Sequence, residues 1–171
     1  MKFTTLAAAM TLLAAPAFAE SHMTATDTAM AAPTGDAAAG EEQFNKQCVA
    51  CHVVQDPATD EVLAGRNAKV GPNLYGTMGH QAGAVEGYNF GDSLKAWGEA
   101  GGTLTEENFV AYVQDPTGFL REVLDDKRAR GKMAYQVRDE AQAHDLFAFL
   151  STFGGEDDAA TDGGEAPAAT N

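Results

Sequence analysis

Apolar residues recur at helical spacing in two parts of this chain, and a third part carries the start signals of a helix. Towards the C-terminus, Leu146, Phe149, Leu150 and Phe153 fall at i, i+3, i+4 and i+7. They line one face of a helix over EAQAHDLFAFLSTF, opened by Arg138-Asp139 and ended by Gly154-Gly155. Upstream, TEENFVAYVQ puts Phe109, Val110 and Val113 on a shared face, with Thr105 as cap and Asp115-Pro116 as stop. Near the start, Asp36 is placed to cap a helix through AAAGEEQFNKQ, with Glu41 and Glu42 near its positive end. The stretches 53–89 and 125–137 are long, Gly-rich and without period. Loops of that length do not make a self-sufficient packed domain. The pattern predicts an all-α protein whose centre is filled by something other than side chains.

The two ends read differently. Residues 1–19 have a basic start at Lys2, an apolar run from Leu6 to Ala15 and the ending Ala17-Phe18-Ala19, the layout of a cleaved secretory signal. That run is too short for a comfortable membrane span, and no later segment qualifies. Residues 20–35 are rich in Ala and Thr, and residues 154–171 carry five acids and no base. Neither buries enough apolar area to offset its ordering entropy, so both are expected to be flexible, flanking one domain over 36–153.

Charge narrows the choice of partner. The 171 residues hold 25 acids against 11 bases, a net charge of -14, with 44% hydrophobic residues. A surface of that sign repels phosphates, which excludes nucleic acid as a general partner.

Only two cysteines are present, in Cys48-Val49-Ala50-Cys51-His52. Two thiols three apart can each bond one vinyl group of a haem while the next residue presents imidazole to the iron, the spacing of c-type haem attachment. Competing readings fit less. A thioredoxin-like pair requires a βαβ setting, and half a zinc site requires a second ligand pair. A plain disulfide explains neither His52 nor the missing core.

The opposite axial position is then the question. Met10 leaves with the signal, and His22, Met23 and Met30 lie in the leader. His144 falls within the last helix, where packing or surface is the simpler role. Met133 sits in an aperiodic, basic loop, DDKRARGKMAYQ, suited to delivering a thioether, so it is the leading candidate. The alternative is a Met that merely fills a gap.

Taken in order, CVACH, GPNLYG at 71–76, AYVQDP at 111–116 and GKMAY at 131–135 resemble class I cytochrome c. AGRNAK at 64–69 and QDPTGFLREVLDDKRARGKM make the chain most similar to the bacterial cytochrome c2 and c550 type. The resemblance covers about 36–153. It implies the cytochrome c fold, three main helices plus short helices and long loops around one covalent haem c. It also implies thioethers at Cys48 and Cys51, with His52 and Met133 as the axial ligands. Pro72 would accept from the His52 ring, and Tyr112 would lie beside the Met133 sulfur. Gly40 and Phe44 would cross the last helix near Leu146 and Phe149.

One feature departs from the family. Where it commonly places Arg, Tyr and Trp around a haem propionate, this chain has His80, Phe90 and Leu104, and its only Trp, Trp97, falls seven residues early. Either the propionate is held differently, by His80, Trp97 or Arg66, or these positions are simply packed or hydrated. An imidazole there predicts a midpoint potential that varies with pH around neutrality.

With both axial positions filled, what remains is one-electron transfer and not enzymatic turnover. The resemblance implies a periplasmic monomer without a transmembrane span in its mature form. It would take electrons from a cytochrome bc1-type complex and pass them to a terminal oxidase, a photosynthetic reaction centre or a periplasmic reductase. Lys127, Arg128, Arg130 and Lys132, just before Met133, form a basic patch on an acidic molecule, suited to docking acidic partners. The rival reading is a five-coordinate haem protein with peroxidase-like or gas-binding activity, which requires that Met133 not bind iron.

Overall fold

Asp36 sets the first helix. Its Oδ1 accepts from the backbone N–H groups of Ala38 and Ala39 at 2.8 and 3.1 Å, opening α1 (Ala37–Gln43). A computed structural model of the chain describes residues 32–154. The expected signal peptide, most of the leader and the acidic tail beyond Gly154 lie outside the described residues. α1 does not run on as an α-helix to Gln47: over Phe44–Cys48 it widens into one π-helical turn. Such turns are uncommon, and they gather at functional sites.

The chain returns from Cys51 through a hairpin that its apolar pattern did not predict. β1 (Val53–Gln55) pairs antiparallel with β2 (Val62–Gly65), matching Val53 to Gly65 and Val54 to Ala64. Val53 and Val54 are both buried, so no alternation marks the strand. The Asn73 side chain extends the pairing, donating to Gln55 O and accepting from Gln55 N.

Two further helices were also missed. α2 (Asp92–Glu99) starts at Gly91 without a side-chain cap, and a Gly near its end weakens its signal. α3 (Glu106–Gln114) is capped by Thr105, as predicted, and buries Phe109, Val110 and Val113. Pro116 stops α3, as its sequence context predicts. It is also the first residue of α4 (Pro116–Val123), with Asp115 accepting from Gly118 N at 3.0 Å. A proline lacks the N–H that the first helical turn leaves unpaired, so one residue ends one helix and begins the next.

α5 (Glu140–Leu150) is capped by Asp139 and is more enclosed than a single apolar stripe implies, since Phe147 and Ala148 are buried as well. α1 and α5 cross at Gly40. A Cβ there would overlap the Asp145 carbonyl and stand 2.8 Å from Phe149 Cβ. The Phe44 ring, fully buried, lies 5.5 Å from that of Phe149. The expected crossing of α1 on α5 is thus present.

The buried side chains form two clusters. The larger joins the π-helical turn, α3 and α5 around Phe44, Phe109, Leu146 and Phe147. The smaller gathers Ala82, Trp97, Phe119, Leu120 and Ala129. Leu104 and Tyr112 pack against both. The fold is all-α apart from the hairpin, and 125–137 is irregular as expected.

Candidate functional site

The π-helical turn ends at the first cysteine. The Cys48 carbonyl accepts from both Cys51 N, at 3.0 Å, and His52 N, at 2.9 Å, which folds the second thiol and the imidazole back against the helix end. The two cysteines are free thiols, Cys48 half-buried and Cys51 exposed. Burial, and then the neighbouring Cys51, push the Cys48 thiol up to about 11, so it stays protonated at neutral pH.

His52 is oriented from the loop opposite. Its Nδ1 lies 3.0 Å from the Pro72 carbonyl oxygen, which only accepts, so the ring proton sits on Nδ1 and Nε2 keeps a lone pair. Burial lowers its affinity for a second proton, and the bond to Pro72 works against that with less effect. The imidazole is therefore held neutral, with Nε2 free of that bond. Gly71 donates from its backbone to Cys51 O at 2.7 Å, and a Cβ at this position would stand 2.6 Å from His52 Nδ1. Only glycine lets the loop lie this close to the ring.

Met133 is half-buried and packs against the larger cluster, as do Tyr112, Leu74 and Leu104. The Tyr112 hydroxyl is pushed up to about 12, by burial first and then by Tyr88, so it remains a neutral hydroxyl. Met78, the other methionine of the folded part, is buried in the larger cluster. His144 is turned to Glu106, with Nδ1 2.7 Å from its carboxylate. Thr34, in the expected leader, donates its backbone N–H to the same carboxylate at 3.1 Å, a long-range bond that composition cannot reveal.

The propionate candidates differ in exposure. His80 and Arg66 are exposed. Trp97 is buried edge-on to Phe119, with ring centroids 4.9 Å apart, and its indole leaves no room for a Cβ at Gly102. Among the described residues no hydrogen bond joins these three side chains. Phe90 is buried against Tyr88, with ring centroids 4.7 Å apart.

Of the basic residues before Met133, Lys127, Arg128, Arg130 and Lys132 are exposed. Lys132 is already engaged: its Nζ donates to Asn89 O and sits 5.1 Å from the Tyr88 ring centroid. Tyr88 in turn donates to Val70 O at 2.9 Å. Sequence reasoning passed over Tyr88, Asn89 and Asn73, because their roles depend on loops that meet only in three dimensions.

Two free thiols, a neutral imidazole with Nε2 unshared and a half-buried thioether form a donor set that fits a covalent haem. No family model matches the chain. It is 54% identical over 121 residues to cytochrome c2 of Rhodovulum adriaticum, covering 71% of this chain and 94% of that protein. Against a cytochrome c2 of Cereibacter sphaeroides the identity is 47% over 120 residues, 70% of this chain and 81% of the relative.

The chain belongs to the class I c-type cytochromes, of the cytochrome c2 type.

The fold agrees. A crystal structure of cytochrome c2 from Rhodobacter sphaeroides superposes with a TM-score of 0.66 at 45% identity, covering 70% of this chain and 96% of that one. Ferric cytochrome c-550 from Paracoccus versutus gives 0.63 at 39%, covering 71% and 99%. Members of this family carry one covalently bound haem c and are electron carriers rather than enzymes. Among the described residues no helix is long and apolar enough to cross a membrane.

Proposed function

We propose that this cytochrome is a periplasmic one-electron shuttle whose iron is held between His52 Nε2 and Met133. The thioethers would come from Cys48 and Cys51. The observation that carries this reading is the bond from His52 Nδ1 to Pro72, which leaves Nε2 as the one ring donor. When bound, the haem supplies a metal that exchanges one electron. The chain's own residues hold the imidazole in one tautomer, enclose the site with apolar side chains and supply a soft second ligand, which raises the potential. His80 and Arg66 are exposed and available to a propionate, whereas the Trp97 ring is covered by packing.

The donor is a cytochrome bc1-type complex, and the acceptor a terminal oxidase, a photosynthetic reaction centre or a periplasmic reductase. Lys127, Arg128 and Arg130 are the exposed cations that would meet an acidic partner. Export by the 1–19 signal, followed by action as a monomer, fits this role.

The test is the optical spectrum of the purified holoprotein, oxidised and reduced. Iron–sulfur ligation by Met133 gives a weak red absorbance in the ferric form that Met133→Ala abolishes, and the ferrous form does not bind carbon monoxide. A ferric protein without that absorbance, whose ferrous form takes up carbon monoxide, is the five-coordinate alternative and overturns the assignment.

A further inference from the structure

The loop carrying Met133 is held almost entirely from its upstream side. Thr117 Oγ1, on the second residue of α4, accepts from the backbone N–H of Gly131 at 3.0 Å. Ser93 Oγ, on the second residue of α2, accepts from the backbone N–H of Arg130 at 3.0 Å. Arg121 Nε donates to Ala129 O at 3.2 Å, and Lys132 Nζ to Asn89 O. A Cβ at Gly131 would stand 2.8 Å from Pro116 Cβ, so the loop backbone lies flat on the start of α4.

Four consecutive residues, 129–132, are thus fixed to three other parts of the fold. The next three are not: Met133, Ala134 and Tyr135 make no hydrogen bond among the described residues. Beyond them, Gln136 reaches Asp115 at 3.5 Å through its side chain, and Val137 N donates to Val113 O at 2.9 Å. A thioether at the tip of an unbonded span takes its position from the ends of that span. The upstream end is the better fixed, and two of its four holds are hydroxyls accepting from loop N–H groups.

We infer that Thr117 and Ser93 are positioning residues for Met133, setting how readily the sixth iron position opens to an outside ligand. The inference rests on the His52/Met133 assignment proposed above. Both hydroxyls are half-buried, so an N–H deprived of its acceptor is only partly rescued by water. Thr117→Val keeps the side-chain shape and removes the acceptor, while Thr117→Ser restores the acceptor with a smaller side chain.

The experiment uses ferric holoprotein of the full chain as wild type, Thr117→Val, Thr117→Ser and Ser93→Ala. Imidazole is titrated against the red absorbance of the iron–sulfur bond, and guanidinium unfolding is followed separately by far-UV circular dichroism. Thr117→Val and Ser93→Ala should each bind imidazole about 3- to 10-fold more tightly, as loss of one such hydrogen bond implies. Thr117→Ser should titrate as wild type. Unchanged imidazole affinity in Thr117→Val and Ser93→Ala, even with lowered unfolding midpoints, overturns the anchoring role. So does a Thr117→Ser variant that behaves like Thr117→Val. If the wild type itself lacks the red absorbance, it is the ligand assignment that fails, and this is seen before any variant is compared.

Discussion

His52 and Pro72 stand 20 residues apart in the chain and 3.0 Å apart in space, imidazole Nδ1 against carbonyl oxygen. That bond needs the 71–76 loop to lie on the ring, and Gly71 is what permits it. Gly71→Ala would put a Cβ 2.6 Å from Nδ1 and 2.9 Å from Nε2, so either the ring or the loop must move. The expected outcome is a loss of about 1–3 kcal/mol in stability, typical of overpacking at a close contact. An altered haem spectrum should accompany it. Guanidinium unfolding and the oxidised absorbance spectrum check the two effects, and a variant matching wild type in both contradicts the packing described.

Gly40 makes the same demand where α1 crosses α5. Gly40→Ala would drive a methyl group into the Asp145 carbonyl and push α1 off α5. Stability should fall by about 1–3 kcal/mol. Because Gly40 lies on the helix crossing, the spectrum of the folded holoprotein should stay unchanged. Thermal unfolding beside the visible spectrum separates this case from that of Gly71.

Acid should loosen the seam where α3 meets α5. Burial alone would raise the Glu106 carboxyl, but hydrogen bonds from Thr34 and His144, together with the charge of His144, outweigh it and hold the group below its ordinary value of 4.5. A carboxyl depressed by folding contributes stability above its unfolded pKa and loses it as pH falls through the folded one. Stability measured from pH 7 down to pH ~3 should therefore fall more steeply in wild type than in Glu106→Gln. The variant should be weaker by about 1 kcal/mol at neutral pH and converge with wild type in acid. Parallel curves would mean that the carboxylate makes no net contribution.

Docking should depend on the exposed cations before Met133. Arg128 has 92% of its side chain exposed and makes a 3.4 Å contact with Asp126. Lys132 is tied to Asn89 and Tyr88. Arg128→Glu with Arg130→Glu should slow electron transfer with an acidic redox partner several-fold at low ionic strength. The difference should fade as salt shortens the screening length to about 3 Å at 1 M. Lys132→Ala should instead perturb the spectrum of the isolated protein, since it frees the loop beside Met133. Stopped-flow rates across a salt series, set beside the spectra, distinguish the two.

How much of this was legible in the chain varies by element. α3 and α5 show their buried faces and caps within a few residues of sequence; both start where predicted, and α5 ends at Leu150 rather than running on to Phe153. α4 did not, because Pro116 was read as the end of a helix and its apolar pair, Phe119 and Leu120, is too short a run to show a period. α2 lacks a side-chain cap and carries Gly98, while β1 is apolar on successive residues. Trp97 illustrates the limit for side chains. Its place in the sequence suggested a polar partner, and in the fold its ring is buried against Phe119.

The order of residues alone determined the motif Cys48-Val49-Ala50-Cys51-His52, the apolar faces of α3 and α5, the Asp36 cap of α1 and the expectation of a non-protein centre. Each of these is written within a turn or two of backbone, where spacing maps directly onto geometry. Tertiary structure decided which carbonyl meets His52, which hydroxyls hold the Met133 loop, and that Thr34 bonds to Glu106. Those contacts join segments from 14 to 72 residues apart, through side chains whose type says only that they can hydrogen-bond. Where they do so depends on how the loops close, and no local pattern records that.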